Sequence, residues 1–234
     1  MAHLLLHGFL GSVEDWPSHI PGERIVYPDV TGQTFDAGIH TLLTHIKTTY
    51  GPGPHALTGY SMGGRLALSL AIYHPEIAHH LAMISASPGI QNPTERTARY
   101  IADQALANDL ASSPLSLFLD KWYSQPLFED LKASPEFQTL YQRRLTINPL
   151  YHANLLGTFS IGQQPSFWDQ LHHLQCPLTL VTGTKDPKYT DIARQIVAQH
   201  PQTTWTQLPN VGHALLTRLQ GARPLREQKC QGAR

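Results

Sequence analysis

Cysteine is scarce in this sequence of 234 residues, which contains only Cys176 and Cys230. Two cysteines are too few for a disulfide framework, and neither lies in the spacing of a metal site. An excess of either charge is lacking too, because 17 Lys and Arg residues balance 17 Asp and Glu residues. Balanced charge gives the chain no general attraction to nucleic acid or to an anionic membrane surface.

Long hydrophobic runs are also missing. No stretch approaches the ~18 apolar residues of a membrane span. The first residues, Met-Ala-His-Leu-Leu-Leu-His-Gly, lack the basic start and the apolar length of a signal peptide. We therefore expect a soluble, cytoplasmic protein with no membrane and no nucleic-acid partner. Its oligomeric state, monomer or homodimer, stays open.

Histidine, in contrast, is abundant, with 14 residues that include the pairs 79–80 and 172–173. Adjacent side chains on a helix or strand point in different directions, so such pairs are poor bidentate ligands. No carboxylate or cysteine lies beside them at metal spacing. We expect no metal site.

Short apolar runs alternate with segments of helical periodicity along much of the chain. The pattern predicts strands at 4–6, 25–27, 56–58, 81–84, 178–182 and 204–208, and helices at 35–50, 65–73 and 190–200. This alternation indicates an α/β fold with a mostly parallel sheet and helices on both faces.

The segment 88–170 differs in character, since it is polar, helical in pattern and rich in Gln, Arg and aromatic residues. It predicts a helical cap inserted into a core formed by residues 1–87 and 171–216. Residues 217–234 have little apolar periodicity, and we expect an irregular tail there.

A sharp turn is predicted where the strand at 56–58 meets the following helix. Its sequence, Gly59 to Gly63 (Gly-Tyr-Ser-Met-Gly), matches a nucleophile elbow, in which small residues let a strained turn lift the Ser61 hydroxyl above the sheet. A plain glycine turn is the alternative.

A serine hydroxyl becomes reactive when a histidine accepts its proton and a carboxylate orients that histidine. Asp186 and His213 each follow a predicted strand, and the chain order Ser, Asp, His fits such a triad. The alternatives are a helix cap or Asp-Pro turn for Asp186 and an ordinary loop histidine for His213. The backbone amides of Phe9 and Met62 are the candidates for stabilising an oxyanion.

With this triad, the sequence resembles the α/β-hydrolase superfamily across residues 4–216. It resembles more specifically the 2-succinyl-6-hydroxy-2,4-cyclohexadiene-1-carboxylate synthase family of menaquinone and phylloquinone biosynthesis. Beyond the triad, the resemblance rests on Leu-His-Gly-Phe at 6–9, Gly-Tyr-Ser-Met-Gly-Gly-Arg at 59–65 and Asp-Pro-Lys-Tyr at 186–189. The more discriminating segments are Pro-Gly-Ile-Gln-Asn at 88–92 with Arg96 and Arg99, and Asp-Lys-Trp-Tyr-Ser-Gln-Pro-Leu-Phe at 120–128.

The resemblance implies an α/β-hydrolase fold with an inserted cap and a lyase that expels pyruvate from an enolpyruvyl group without a cofactor. Ser61 would then act as a base rather than as an acylated nucleophile. The substrate is a small molecule with several carboxylates, for which Arg side chains are suited. The implied substrate-binding residues are Tyr60, Arg65, Gln91, Arg96, Trp122, Tyr123, Arg144 and Lys188, and Arg143 is as eligible as Arg144.

Plainer interpretations of these positions remain. Arg65 and Lys188 could be surface charges, Trp122 and Tyr123 could be cap core, and Gln91 a loop residue. Two other functions also fit the fold: an ester or thioester hydrolase with Ser61 as covalent nucleophile, and a non-catalytic ligand-binding protein.

Overall fold

The computed structural model describes residues 1–219, and a parallel sheet lies at its centre. The six strands are β1 (His3–Leu6), β2 (Glu23–Arg24), β3 (His55–Tyr60), β4 (Ala78–Ile84), β5 (Leu178–Gly183) and β6 (Thr204–Leu208). Their order is β2-β1-β3-β4-β5-β6, and each neighbouring pair is parallel. The predicted α/β fold is confirmed.

Helices connect and cover these strands. They are α1 (Phe35–Tyr50), α2 (Met62–Tyr73), α3 (Pro93–Ser112), α4 (Leu115–Tyr123), α5 (Glu129–Lys132), α6 (Phe137–Arg144), α7 (Pro149–Thr158), α8 (Pro187–Gln199) and α9 (Leu215–Leu219). Helix α1 illustrates the pattern: Phe35, Ile39, Leu42 and Ile46 recur at helical spacing and are buried.

Most predicted elements lie where the periodicity placed them, but β2 does not. The expected strand at 25–27 is instead the pair Glu23–Arg24, and only the Ile25 amide continues the ladder, by donating to the Leu5 carbonyl at 3.0 Å. Tyr27 has left the sheet, and its hydroxyl donates to the His7 carbonyl at 2.6 Å. Ile25 and Tyr27 are therefore buried by side-chain packing rather than by strand pairing, whereas Val26 is exposed.

Residues 85–177, all of them described, contribute helices and turns but no strand. Helices α3 to α7 lie between β4 and β5, within the segment where the sequence predicts a cap. Their apolar side chains form a separate buried cluster with Leu10, which includes Leu110, Phe118, Leu119 and Leu140. This cluster gives the cap an interior of its own above the carboxyl ends of the strands.

The carboxyl-terminal region departs from the expected irregular tail at its first residues. Helix α9 extends to Leu219, because Leu215 and Leu216 are buried against Leu5 and Trp16. The rest of the predicted tail, residues 220–234 with Cys230, lies outside the described residues. Among residues 1–219, none of the helices combines the length and hydropathy that a bilayer crossing requires.

Candidate active site

Ser61 occupies a strained turn between β3 and α2. Its φ of 53° and ψ of −112° lie in a region that residues with a side chain rarely adopt. Glycines make the turn feasible: a Cβ on Gly59 would lie 2.2 Å from the Gly63 carbonyl oxygen, and one on Gly63 would lie 2.2 Å from the Leu6 carbonyl oxygen. The Ser61 amide is anchored by the Ile84 carbonyl at 2.9 Å.

The loops that carry Asp186 and His213 are joined to each other through their backbones. The Lys185 amide donates to the Val211 carbonyl at 2.9 Å. A Cβ on Gly183 would lie 2.0 Å from that same carbonyl oxygen, so only glycine permits this approach. The two loops therefore form one unit at the ends of β5 and β6.

Ser61, His213 and Asp186 are in contact. His213 Nδ1 lies 3.0 Å from Asp186 Oδ2, and His213 Nε2 lies 3.2 Å from Ser61 Oγ. His213 is 5% exposed and Asp186 is 3% exposed, so bulk water has little access to this chain of hydrogen bonds. The carboxylate favours the tautomer with the proton on Nδ1, which leaves Nε2 free to accept the Ser61 proton. Asp186 also caps α8, because it accepts the Tyr189 amide at 3.4 Å.

Two tyrosines hold His213 in place. The Tyr60 hydroxyl donates to the His213 carbonyl at 3.1 Å. The Tyr189 ring stacks on the imidazole with a centroid distance of 4.7 Å. Sequence reasoning did not assign Tyr189 a role, although it belongs to the Asp-Pro-Lys-Tyr segment.

The loop after β1 is shaped by His7. Its Nδ1 lies 2.9 Å from the Gly8 carbonyl oxygen, and burial lowers the pKa of the ring to about 4. The neutral ring helps to fix the turn that leads to Phe9. Phe9 and Met62 both line the space beside Ser61, and Met62 opens α2, where backbone amides favour negative charge.

A cavity of about 660 Å³ lies between the triad and the cap. One part of its wall is aromatic and apolar, formed by Phe9, Phe118, Trp122, Tyr123, Phe128 and Leu131. Another part is charged and mostly cationic: Asp15 and Asp103 lie there beside five cations, namely Arg65, Arg99, Lys121, Arg144 and Lys188. Such a lining suits a small ligand with an apolar body and several anionic groups.

Comparison with known proteins agrees with the fold. A family model described as "Alpha/beta hydrolase family" matches residues 4–224. The chain belongs to the alpha/beta hydrolase family.

Within this family, three proteins illustrate the similarity. A 2-succinyl-6-hydroxy-2,4-cyclohexadiene-1-carboxylate synthase of Pectobacterium atrosepticum is 32% identical over 206 residues, which cover 81% of this chain and 79% of that protein. A solved structure of MenH from S. aureus is 29% identical with a TM-score of 0.82, covering 92% of this chain and 86% of the other. Protein PHYLLO, chloroplastic, of Arabidopsis thaliana is 28% identical over 91% of this chain, which spans only 14% of PHYLLO.

In this alpha/beta hydrolase, Arg65 keeps its charge available for a ligand. The guanidinium donates to Gln164 Oε1 at 2.7 Å and to the Phe159 carbonyl at 2.8 Å, and both acceptors are neutral. Burial lowers the pKa of Arg65 to about 10, so the group remains protonated at neutral pH. Lys188 lies at the same cavity, where partial desolvation lowers the pKa of its ammonium group, with a smaller contribution from Arg99.

Arg144 rather than Arg143 lines the cavity, although the sequence makes both equally eligible. Its Nη2 lies 2.5 Å from Asp15 Oδ2. Burial disfavours the charge of Arg144, but Asp15 and Tyr123 together outweigh that effect and raise the pKa. Arg143 lies on the outer side, where Nη1 donates to the Glu14 carbonyl at 2.9 Å. A ligand carboxylate would therefore have to share Arg144 with Asp15.

The aromatic residues expected at the site do line the cavity. Tyr60 and Tyr123 are among them, and Trp122 packs edge-on against Phe9 with a centroid distance of 5.1 Å. Tyr123 also belongs to the buried cluster of the cap. Some aromatic side chains therefore belong both to the wall of the cavity and to the apolar core of the cap.

Two expected residues lie elsewhere. Gln91 is exposed and precedes α3, and Arg96 does not line the cavity. Arg99, one turn further along α3, does line it, and its Nε donates to Asp103 Oδ1 at 2.7 Å. Arg99 rather than Arg96 therefore lines the cavity, and only the packing of α3 decides which of these two arginines, three residues apart, reaches it.

Proposed function

We propose that this alpha/beta hydrolase is a lyase of menaquinone or phylloquinone biosynthesis. It would eliminate pyruvate from 2-succinyl-5-enolpyruvyl-6-hydroxy-3-cyclohexene-1-carboxylate and so form 2-succinyl-6-hydroxy-2,4-cyclohexadiene-1-carboxylate. The observation that carries the proposal is that Ser61 opens into a cavity where Arg65 and Lys188 offer positive charge. The names of the similar proteins support it.

This reaction consists of proton transfers and the cleavage of one carbon–oxygen bond. His213 draws the proton from Ser61, and the serine oxygen removes a proton from the substrate ring. The amides of Phe9 and Met62 stabilise the negative charge that develops on the substrate. The bond from the ring to the enolpyruvyl oxygen then breaks, the diene forms, and the released enolpyruvate becomes pyruvate when its methylene carbon gains a proton. Asp186 stabilises the cationic His213 between these steps.

The substrate's carboxylates would be bound at the cationic part of the wall. Arg65 and Lys188 are suited to this task because, among the described residues, neither forms an ion pair with a carboxylate: Arg65 donates to neutral oxygen atoms, and the Lys188 ammonium lies over the Tyr189 ring. Arg99 and Arg144 each already contact an aspartate, so a substrate carboxylate gains less there. The apolar wall would hold the ring.

The proposal is tested against the alternative of an ester hydrolase, which the same triad geometry supports. Purified protein would be assayed for pyruvate release from the enolpyruvyl substrate and for hydrolysis of p-nitrophenyl esters. We expect pyruvate release to be the faster reaction and to be lost in Ser61→Ala and His213→Ala. Rapid ester hydrolysis without pyruvate release would overturn the lyase assignment.

A further inference from the structure

A single side chain of the cap contacts both loops that carry the partners of Ser61. Asp130, in α5, accepts the Gly212 amide at Oδ2 over 3.1 Å and the Lys185 ammonium at Oδ1 over 2.9 Å. Gly212 immediately precedes His213, and Lys185 immediately precedes Asp186. The carboxylate therefore bridges the backbone next to the histidine and the side chain next to the aspartate.

The contact is close, and the cap fixes one side of it. A Cβ on Gly212 would lie 3.1 Å from Asp130 Cβ, so a larger residue at 212 would push the loop and the cap apart. The neighbours Phe128 and Leu131 are 7% and 4% exposed within the buried cluster of the cap. The position of Asp130 is therefore set by the packing of the cap and not by a flexible surface segment.

The two hydrogen bonds differ in their surroundings. The Lys185 side chain is 53% exposed, whereas that of Asp130 is 19% exposed. An ion pair with one exposed member adds little stability by itself. A carboxylate that accepts a sheltered backbone amide is a stronger and better defined contact. The bond to Gly212 is thus the one that constrains His213.

We propose that Asp130 is a positioning residue, which keeps His213 Nε2 within hydrogen-bonding reach of Ser61 when the cap is packed on the core. It acts through Gly212 and touches no substrate. The inference rests on the proposed catalytic use of the triad. It implies that loss of Asp130 lowers the rate of the chemical step more than it weakens substrate binding, because the cavity wall is left intact.

Steady-state kinetics of pyruvate release and the rate of Ser61 labelling by a fluorophosphonate test this role in the full chain. A misplaced catalytic group costs up to about 100-fold in rate, and we expect Asp130→Ala to lower kcat by about 10- to 100-fold and to change KM by less than about twofold. Labelling should slow in parallel. Asp130→Asn keeps an oxygen for the Gly212 amide and should retain most of the wild-type rate. Lys185→Met removes only the ion pair and should also retain most of that rate.

Glu76→Gln is the matched control, because it removes an ion pair with Lys47, 3.0 Å long, outside the site. Wild-type kinetics in Asp130→Ala, or a loss confined to KM, would overturn the proposal. If Asp130→Ala does not fold, Gly212→Ala replaces it, and an unchanged kcat there would overturn it equally. Wild-type protein that neither releases pyruvate nor reacts with the fluorophosphonate contradicts the proposed function itself and, with it, the role of Asp130.

Discussion

The arginine residues of the cavity are of two kinds, those with a carboxylate partner and one without. Arg144 and Arg99 have carboxylate partners within the protein, whereas Arg65 donates to neutral oxygen atoms. A buried cation without a carboxylate partner attracts an anionic ligand most strongly, because no internal ion pair has to be broken first. Selectivity for carboxylates should therefore depend most on Arg65, with Arg99 and Arg144 contributing less.

Arg99 and Arg96 offer a direct comparison on one helix. Arg99→Ala should lower kcat/KM by about 30-fold, or about 2 kcal/mol, the low end for a charge pair because its side chain is 45% exposed. Arg96→Ala should leave kcat/KM within about twofold of wild type. Kinetics at low substrate concentration would check both, and a larger loss in Arg96→Ala would show that the cavity is assigned to the wrong arginine.

The residues of the triad could be predicted because each lies in a local pattern that has a mechanical cause. Gly59 and Gly63 are required by the turn at Ser61, and Asp186 and His213 follow strands in the expected order. The position of Arg99 at the cavity could not be predicted, because the apolar periodicity of the polar helix α3 is too weak to show which face is turned inward. The contact of Asp130 with Gly212 joins residues 82 positions apart, which no local pattern reveals.

Among the elements, α2 depends most on glycine. A Cβ on Gly64 would lie 2.5 Å from Ala86 Cβ, so α2 could not keep its distance from the end of β4. Helix α7 also contains a glycine, Gly157, but a Cβ there would meet Gln104 only at 3.8 Å.

These two helical glycines predict opposite effects of the same substitution. Gly64→Ala should destabilise the fold by about 1–3 kcal/mol through overpacking and should displace Ser61. Gly157→Ala should be neutral or stabilising by up to about 1 kcal/mol, because alanine favours the helix. Urea unfolding of both variants measures the difference, and equal effects would contradict the close packing of α2 on β4.

Element types were predictable where burial and local preference agree, as in β1, β3, β4 and β5. The segment at 25–27 resembles a strand because Ile25 and Tyr27 are apolar, and both are buried. The residues that pair with β1 are nevertheless Glu23 and Arg24, which lie just before this segment. Helix α8 begins at Pro187 rather than near 190, because Asp186 caps it and proline suits a first helical position.

The stability of the protein depends on pH because two histidines, His7 and His152, are buried. Burial lowers the pKa of His7 to about 4 and that of His152 to about 3, from a value of 6.5 for an unperturbed histidine. Below pH 6.5 the unfolded chain therefore binds more protons than the folded one, and the free energy of unfolding falls as the pH falls. Each ring contributes on the order of 3–5 kcal/mol over the full window.

His152→Leu should reduce this dependence. Between pH 7.5 and pH 5 the wild-type protein should lose about 2 kcal/mol more unfolding free energy than the variant, because one buried histidine no longer gains a proton on unfolding. Urea unfolding at the two pH values would measure it. The same loss in both proteins would mean that His152 is not kept neutral by the fold.

The composition of the sequence changes at about residue 88, and helices α3 to α7 follow that change. What the sequence could not supply was how the cap is attached. Arg144 of α6 pairs with Asp15, which follows Phe9 in the chain, and Asp130 of α5 contacts the loop of His213. The cap is thus connected to the core at two places beside Ser61, so the shape of the cavity depends on both the cap and the core.

We propose that Ser61 is the base in an elimination that releases pyruvate. The most direct test of this role is the rate of pyruvate release by the wild-type protein and by Ser61→Ala at saturating enolpyruvyl substrate. General base catalysis contributes about 100- to 10,000-fold, and we expect a loss of that size in Ser61→Ala with the fold preserved. Pyruvate release by Ser61→Ala at the wild-type rate would contradict it.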